Sequence, residues 1–214
     1  MLSLLAASSA FLVPSARLAG AVPRAGAVTM ASEGLADFGT LDGSEVRVGI
    51  IRARWHDEVG NNLLNGVKQA LTESGVKEEN IIESEVPGSF ELPLASRFLA
   101  LSGKVDAVVP IGVLVKGDTY HFEVISDTVT RGLMNIGLQT GVPIIMGVVT
   151  VNTIEQAKDR SSGKDNHGVQ WGKAAVEMAL LRQSALGRKG KKQFMGFGGD
   201  DENSTGPPAT KVGF

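Results

Sequence analysis

The sequence contains no cysteine and few histidines or aromatic residues. Among its 214 residues are three histidines, one tyrosine and two tryptophans. The absence of cysteine excludes a disulfide scaffold, a cysteine nucleophile and a thiolate metal site. The three histidines lack any metal-binding spacing such as HExxH, which argues against a histidine-built metal centre. We therefore expect chemistry that needs no metal ion.

The middle of the chain also lacks an excess of basic residues. The net charge is −2 overall, but residues 31–186 hold 14 basic and 20 acidic residues, whereas both ends are basic. Nucleic-acid binding requires a basic surface that neutralises phosphates, so the composition argues against nucleic acid as a partner. We interpret the basic cluster from Arg188 to Lys192 as part of a solvated, disordered tail over residues 187–214.

The first 30 residues contain no acidic residue and are rich in alanine and serine. This composition is typical of a targeting presequence, and the apolar start is too short to span a membrane. The junction Ser9-Ala10-Phe11 resembles the cleavage context of bipartite plastid presequences. We predict a signal plus transit peptide over 1–30, an N-terminal arm over 31–45, and a mature form in the chloroplast stroma without membrane contact. An ordinary disordered N-terminus is the alternative.

From residue 46 onward, apolar runs typical of strands alternate with stretches of helical periodicity. Strands are predicted over 46–51, 80–86, 105–115 and 144–151. Helices are predicted over 61–74, 91–102, 122–140 and 168–186, with glycines as stop signals. Strands separated by helices form a parallel sheet covered on both faces. The sequence therefore predicts one α/β domain over residues 46–186, a three-layer α/β/α sandwich with a four-stranded parallel sheet.

Ligands of such sheets bind beyond the carboxyl ends of the strands, so the residues after each strand are candidates for a site. Trp55 follows the first strand and can either stack on a flat ring or pack against the neighbouring helix. Ser89 and Glu91 follow the second strand and can either bind a ligand or cap the next helix. These local patterns leave both interpretations open.

The segment after the third strand, from Lys116 to His121, opens a helix. Exposed amides, a glycine and a hydroxyl at a helix N-terminus favour a phosphate group. Histidine has an ordinary pKa of about 6.5 and suits proton transfer near neutral pH, although His121 can equally be bonded within the first helical turn. Farther along, Arg160 and Lys164 lie in a polar loop. They reach an anion only through the fold or from a neighbouring subunit.

Four ordered segments resemble one known family: VPGSFELP at 86–93, KGDTYHFE at 116–123, GVPIIMGVVT at 141–150 and IEQAKDR at 154–160. They resemble lumazine synthase over about residues 40–185. The resemblance implies a flavodoxin-like fold and condensation of 5-amino-6-(D-ribitylamino)uracil with 3,4-dihydroxy-2-butanone 4-phosphate, without a cofactor. It also implies a homopentamer with active sites at subunit interfaces. Some members assemble further into icosahedral shells, and riboflavin synthase is a partner that the resemblance suggests.

The resemblance also implies roles for individual positions. His121 matches the proton-transfer histidine of the family. The positions that bind the phosphate in the family correspond to Gly117, Asp118 and Thr119 and, from the neighbouring subunit, to Arg160. The positions that contact the uracil ring and its ribityl chain in the family correspond to Trp55, Ser89, Phe90, Glu91, Val113, Leu114, Val115, Met146 and Lys164.

This sequence departs from the family pattern at three places. His56 stands where asparagine is common, Met146 where phenylalanine is frequent, and the loop after Arg160 is one residue shorter, with His167 in place of its usual lysine. The alternatives are a non-catalytic flavin-binding or shell-forming relative, and an archaeal-type riboflavin synthase. The joint presence of Glu91, His121 and Arg160 argues against the two non-catalytic alternatives.

Overall fold

The computed structural model describes residues 38–187, so the predicted presequence and the tail beyond Gly187 lie outside the described residues. Strands and helices alternate along this part of the chain. In order they are β1 (Val48–Ala53), α1 (Asp57–Glu73), β2 (Ile81–Val86), α2 (Leu92–Leu101), β3 (Ala107–Val115), α3 (His121–Thr140), β4 (Gly147–Val151), α4 (Ile154–Asp159) and α5 (His167–Ala185). Short 3-10 turns cover Glu78–Asn80, Ser89–Glu91 and Gly163–Asp165.

The four strands form one parallel sheet in the order β2-β1-β3-β4. The central strands are the most apolar, and every residue of β1 is buried. A strand covered on both faces reads as a continuous apolar run, which is how β1 and β3 appear in the sequence. The predicted four-stranded parallel sheet is confirmed.

Two apolar clusters cover the two faces of the sheet. On one face, α1 and α5 pack through Leu63, Val67 and Val176 against β1 and β3. On the other face, α2 and α3 contribute Leu92 and Leu133. These clusters confirm the three-layer α/β/α sandwich, and they leave the loops at the carboxyl ends of the strands free to form a site.

The last strand begins at Gly147, three residues later than the predicted start at residue 144, and proline explains the difference. Ile144 forms only an isolated bridge to Val108, whose amide donates to the Pro143 carbonyl at 2.9 Å. Pro110 lies two residues beyond Val108 and faces the same neighbour, but it has no N–H to donate. Regular pairing therefore resumes only at Gly147, opposite Ile111.

Other boundaries also differ from the sequence prediction. β1 lies two residues later than predicted, and α1 begins at Asp57 instead of residue 61, because its polar first turn hides the helical periodicity. Helix α4 was not predicted, although Thr153 and Gln156 form a capping box that signals its start. In the predicted N-terminal arm, the Gly43 amide donates to the Ser74 carbonyl at 2.7 Å.

Within residues 38–187, no helix is both long and apolar enough to cross a membrane. The same residues contain no group of three or more histidine, aspartate or glutamate side chains placed to hold a metal ion.

Candidate active site

A pocket of about 600 Å³ opens at the carboxyl ends of β1, β2 and β3. Its volume lies in the range typical of small-molecule sites. The segments that follow β1 and β2, the end of β3 and the first turns of α3 form its walls. The lining residues are Trp55, His56, Gly88, Ser89, Phe90, Glu91, Val113, Leu114, Val115, His121 and Ile125.

Trp55 lies in the turn between β1 and α1, where it is 66% exposed. Packing against the neighbouring helix, the alternative for this residue, therefore leaves most of the ring uncovered. The turn depends on His56, which has a left-handed backbone (φ 57°) and is the only non-glycine residue with positive φ between residues 38 and 187. Such a conformation costs about 1 kcal/mol or more and persists only where the surroundings enforce it. The turn presents the indole next to Gly88, where a Cβ atom would lie 3.6 Å from Trp55 Cδ1.

The segment after β2 supplies the polar groups of the pocket. The Gly88 amide donates to Glu91 Oε2 at 2.9 Å, so this oxygen organises the turn while Oε1 is left for a ligand. Ser89 is buried and its hydroxyl has no hydrogen-bond partner among the described residues. The Ser89 hydroxyl therefore does not cap the helix, whereas the capping interpretation is confirmed for Glu91 through its bond from the Gly88 amide. Phe90 is 59% exposed and adds an aromatic edge.

The end of β3 and the start of α3 complete the pocket. Val113 is buried, whereas Leu114 and Val115 are half-buried as the strand emerges from the core. His121 is the first residue of α3, and its side chain is exposed at the pocket. No hydrogen bond to its imidazole is found within residues 38–187, so the alternative of a histidine bonded in the first turn is not observed. Ile125 lies one turn farther along the same face of the helix.

The predicted phosphate segment lies between β3 and α3, beside the pocket in sequence but not in its lining. Gly117, Asp118 and Thr119 are exposed. A Cβ atom at Gly117 would meet nothing within 4 Å, and its φ is not in the left-handed region. Neither packing nor backbone conformation requires glycine there, which leaves close approach of a ligand as a reason for it. Lys116 Nζ lies 2.9 Å from Glu123 Oε1, and this hydrogen bond lowers the pKa of the Glu123 carboxyl.

Three further predicted residues, besides the three of the phosphate segment, do not line the pocket within one chain. Arg160 follows α4 and donates from Nη1 to the Gln156 carbonyl at 3.0 Å. Lys164 lies in the exposed turn that follows, and Met146 precedes β4. None of the three lines the pocket. Their distance from it agrees with the expectation that such a loop acts only through another subunit, without testing it.

The prediction missed three residues of the lining. His56 was noted only as a departure from the family pattern, and its place next to Trp55 in a turn was the available signal. Gly88 directly precedes the predicted Ser89, and Ile125 belongs to the apolar periodicity of α3, where its four-residue spacing from His121 places it on the same face of the helix. All three residues line the pocket directly.

Fold and pocket together define an α/β/α protein with a small-molecule site at the carboxyl edge of a parallel sheet. The chain belongs to the 6,7-dimethyl-8-ribityllumazine synthase family, whose model matches residues 45–183. This match confirms the resemblance carried by the four sequence segments.

Relatives that bear the name 6,7-dimethyl-8-ribityllumazine synthase support the same assignment. The protein of Schizosaccharomyces pombe is 48% identical over 143 residues, covering 65% of this chain and 90% of its own length. That of Pyricularia oryzae is 41% identical over 181 residues, covering 66% and 90%. That of Thermococcus kodakarensis is 40% identical over 143 residues, covering 67% and 90%. The expected family and enzyme class, a transferase of riboflavin biosynthesis, are thereby confirmed.

Proposed function

We propose that this chain condenses 5-amino-6-(D-ribitylamino)uracil with 3,4-dihydroxy-2-butanone 4-phosphate at the pocket described above. The products are 6,7-dimethyl-8-ribityllumazine, phosphate and water. One observation carries the proposal: an exposed indole, a carboxylate and an imidazole, those of Trp55, Glu91 and His121, line a single pocket.

The pocket suits a flat ring with a polyol chain. Trp55 offers an exposed aromatic face for the uracil, and Phe90 offers a second apolar surface. Glu91 Oε1 makes no hydrogen bond within the described residues and is available to the ribityl hydroxyls, whereas the Ser89 hydroxyl beneath the pocket is buried and can bind the substrate only if the Gly88–Glu91 turn shifts. A site built to hydrogen-bond hydroxyl groups discriminates strongly against analogues that lack them.

The reaction moves protons at each step. The ring amine attacks the ketone, water leaves to give an imine, phosphate is eliminated, and the second amine closes the new ring with loss of water. His121 is the residue that we assign to proton transfer, because its imidazole lines the pocket and has no hydrogen-bond partner within the described residues. Holding the two substrates in register supplies much of the remaining acceleration.

Phosphate binding completes the site across a subunit boundary. We assign the phosphate to Gly117, Asp118 and Thr119 near the amino end of α3, where helix amides favour an anion, and to Arg160 of a neighbouring copy. Lys164 and Met146 are assigned to the same boundary. This arrangement requires an oligomer, for which we propose the homopentamer implied by the family.

The direct test incubates the purified chain with both substrates. We expect the fluorescence of the lumazine to rise together with one phosphate released per lumazine formed, and neither signal when either substrate is omitted. A sample given the lumazine alone tests for a riboflavin synthase. Formation of riboflavin there, or failure to form lumazine in the complete mixture, would contradict the proposal.

For the N-terminus we propose removal of residues 1–30 and transport into the plastid stroma, on the basis of the acid-free composition. Residues 1–35 fused to a fluorescent protein should enter plastids, and Phe11→Ala should hold the fusion outside the stroma. Cytosolic fluorescence of the unaltered fusion would refute the proposal.

A further inference from the structure

Arg52 is a buried cation that the proposed chemistry does not use. It lies on β1, is only 7% exposed, and extends over the first turn of α1, where a Cβ atom at Gly60 would lie 3.5 Å from Arg52 Cδ. Its Nη1 donates to Asp57 Oδ1 at 2.5 Å, and its Nη2 donates to Glu85. Burial opposes the charge, but the two carboxylates outweigh this and raise the pKa of Arg52.

The two carboxylates belong to the two loops that form opposite walls of the pocket. Asp57 is the first residue of α1 and comes two residues after Trp55. Glu85 pairs with Arg52 in the sheet and comes three residues before Gly88. The Arg52 guanidinium is therefore hydrogen-bonded to a residue next to each of the two loops that form these walls. The Arg54 amide adds a backbone bond of 3.0 Å to the Val86 carbonyl at the same place.

The Trp55 turn has few other restraints. His56 occupies the N-cap position of α1 in a left-handed conformation, and its side chain makes no capping hydrogen bond. Asp57 is the nearest side chain with a strong tether, and it also accepts a hydrogen bond from Asn61 at 3.0 Å. Charge-assisted bonds to a rigid, forked guanidinium fix geometry more strongly than neutral ones.

We propose that Arg52, with Asp57 and Glu85, forms a clamp that sets the spacing between Trp55 and the Gly88–Glu91 wall and thereby determines the affinity for the uracil substrate. Arg52 is a positioning residue in this role, because it acts through Trp55 and does not line the pocket. The inference rests on the proposed function.

The experiment uses Trp171→Phe as the parent, since this change leaves Trp55 as the only tryptophan of the chain. Arg52→Met keeps most of the length of the side chain but removes its charge and its hydrogen bonds. We expect the KM for the uracil to rise by about tenfold, while the KM for the butanone phosphate stays within about twofold. Acrylamide should quench Trp55 more readily, and the anisotropy of its emission should fall.

Conservative variants separate the two arms of the clamp. Arg52→Lys can bond one carboxylate at a time and should give an intermediate KM. Asp57→Asn and Glu85→Gln should each give a partial effect, and the double variant should approach Arg52→Met. Both carboxylates are partly exposed, so these two variants also test the clamp if Arg52→Met does not fold.

Arg47→Met is the matched control. Arg47 also bonds a carboxylate from a neighbouring strand segment, that of Asp106, but at the amino ends of the strands, away from the pocket. Its loss should lower Tm without changing the KM for the uracil. If Arg52→Met likewise lowers only Tm, the clamp is refuted. If the parent forms no lumazine, the proposed function fails, and the anisotropy of Trp55 still decides whether Arg52 holds the turn.

Discussion

At the scale of single residues, the pocket contains one imidazole at the start of a helix, that of His121 in α3. The side chain is exposed to the pocket and has no competing hydrogen bond within the described residues. A group in this position can reach a bound substrate without breaking an existing contact. His56 also lines the pocket, but its left-handed backbone places it in the turn that presents Trp55.

We expect His121→Ala to slow turnover by about 10- to 1000-fold, in keeping with the loss of a general acid-base group. Binding of the uracil should persist, because Trp55 and the Gly88–Glu91 wall are unchanged. Steady-state kinetics and quenching of Trp55 by the uracil measure the two effects separately. Tyr120→Ala is the matched control, since this neighbour is 77% exposed and outside the pocket lining. A rate equal to that of the control would remove His121 from the mechanism.

At the scale of the elements, α1 and α5 approach so closely that side chains are excluded at the crossing. A Cβ atom at Gly168 would lie 2.1 Å from the Leu63 carbonyl oxygen, and one at Gly172 would lie 2.7 Å from that of Val67. These backbone carbonyl groups cannot move away from an added methyl group as the end of a flexible side chain can. The two glycines therefore set the distance between these helices, and α5 in turn fixes the loop that carries Arg160, because Asn166 Nδ2 donates to the Asn62 carbonyl at 2.9 Å.

Gly168→Ala should therefore destabilise the fold by about 2 kcal/mol, a typical cost of overpacking. The same substitution at Gly137 in α3 should act in the opposite direction. There the added methyl group would lie 3.5 Å from Ile144 Cγ1, an ordinary contact, and alanine is the better helix former by up to about 1 kcal/mol. Urea unfolding measures both changes. Two shifts of the same sign would show that the helix crossing is not rigid.

The elements also show what the sequence could and could not predict. Alternating periodicity was sufficient for the parallel sheet and its two helical layers, because both depend on local apolar patterns. The late start of β4 depends on Pro110, which belongs to β3. The apolar pattern of one segment does not show which residues of another strand it pairs with. In the same way, the exposure of Trp55 and the buried hydroxyl of Ser89 follow from how neighbouring loops pack. Local sequence left both positions ambiguous for that reason.

At the scale of the whole molecule, the two ends of the sheet have different electrostatics. The carboxyl end carries the pocket, whereas the amino end is fastened by Asp106, which is 1% exposed and bonded by Arg47. Burial opposes the charge of Asp106, but the hydrogen bonds from Arg47 outweigh it, so the pKa of this carboxyl is lowered. The fold therefore favours the ionised form.

This lowered pKa predicts an acid-sensitive contribution to stability. The contribution is fully present above the pKa of the unfolded chain, about 4, and is lost as the pH falls through the lower folded value. Asp106→Asn should therefore lower the free energy of unfolding at pH 7, and its difference from the parent should shrink below about pH 4. Urea unfolding at a series of pH values tests this. A difference that is constant from pH 7 to pH 3 would contradict it.

The largest question at this scale is whether one chain holds a whole site. Within residues 38–187 no lysine or arginine lines the pocket, the adjacent Lys116 is paired with Glu123, and Arg160 and Lys164 lie on a loop outside the pocket. The guanidinium of Arg160 donates one hydrogen bond there, to a backbone carbonyl of its own helix. A second copy that brings this loop to the pocket would supply the missing charge.

Arg160→Ala should accordingly raise the KM for the butanone phosphate far more than that for the uracil, whereas Lys158→Ala, a change of an exposed cation in the same segment, should alter neither. Mixed oligomers give the decisive measurement. Arg160→Ala and His121→Ala chains, unfolded together and reassembled in equal amounts, should recover activity at about a quarter of the sites, where an intact histidine of one copy meets an intact arginine of the next. Each variant reassembled alone should keep only its own reduced activity. If the mixture is no more active than the two separate samples, both residues serve the same chain.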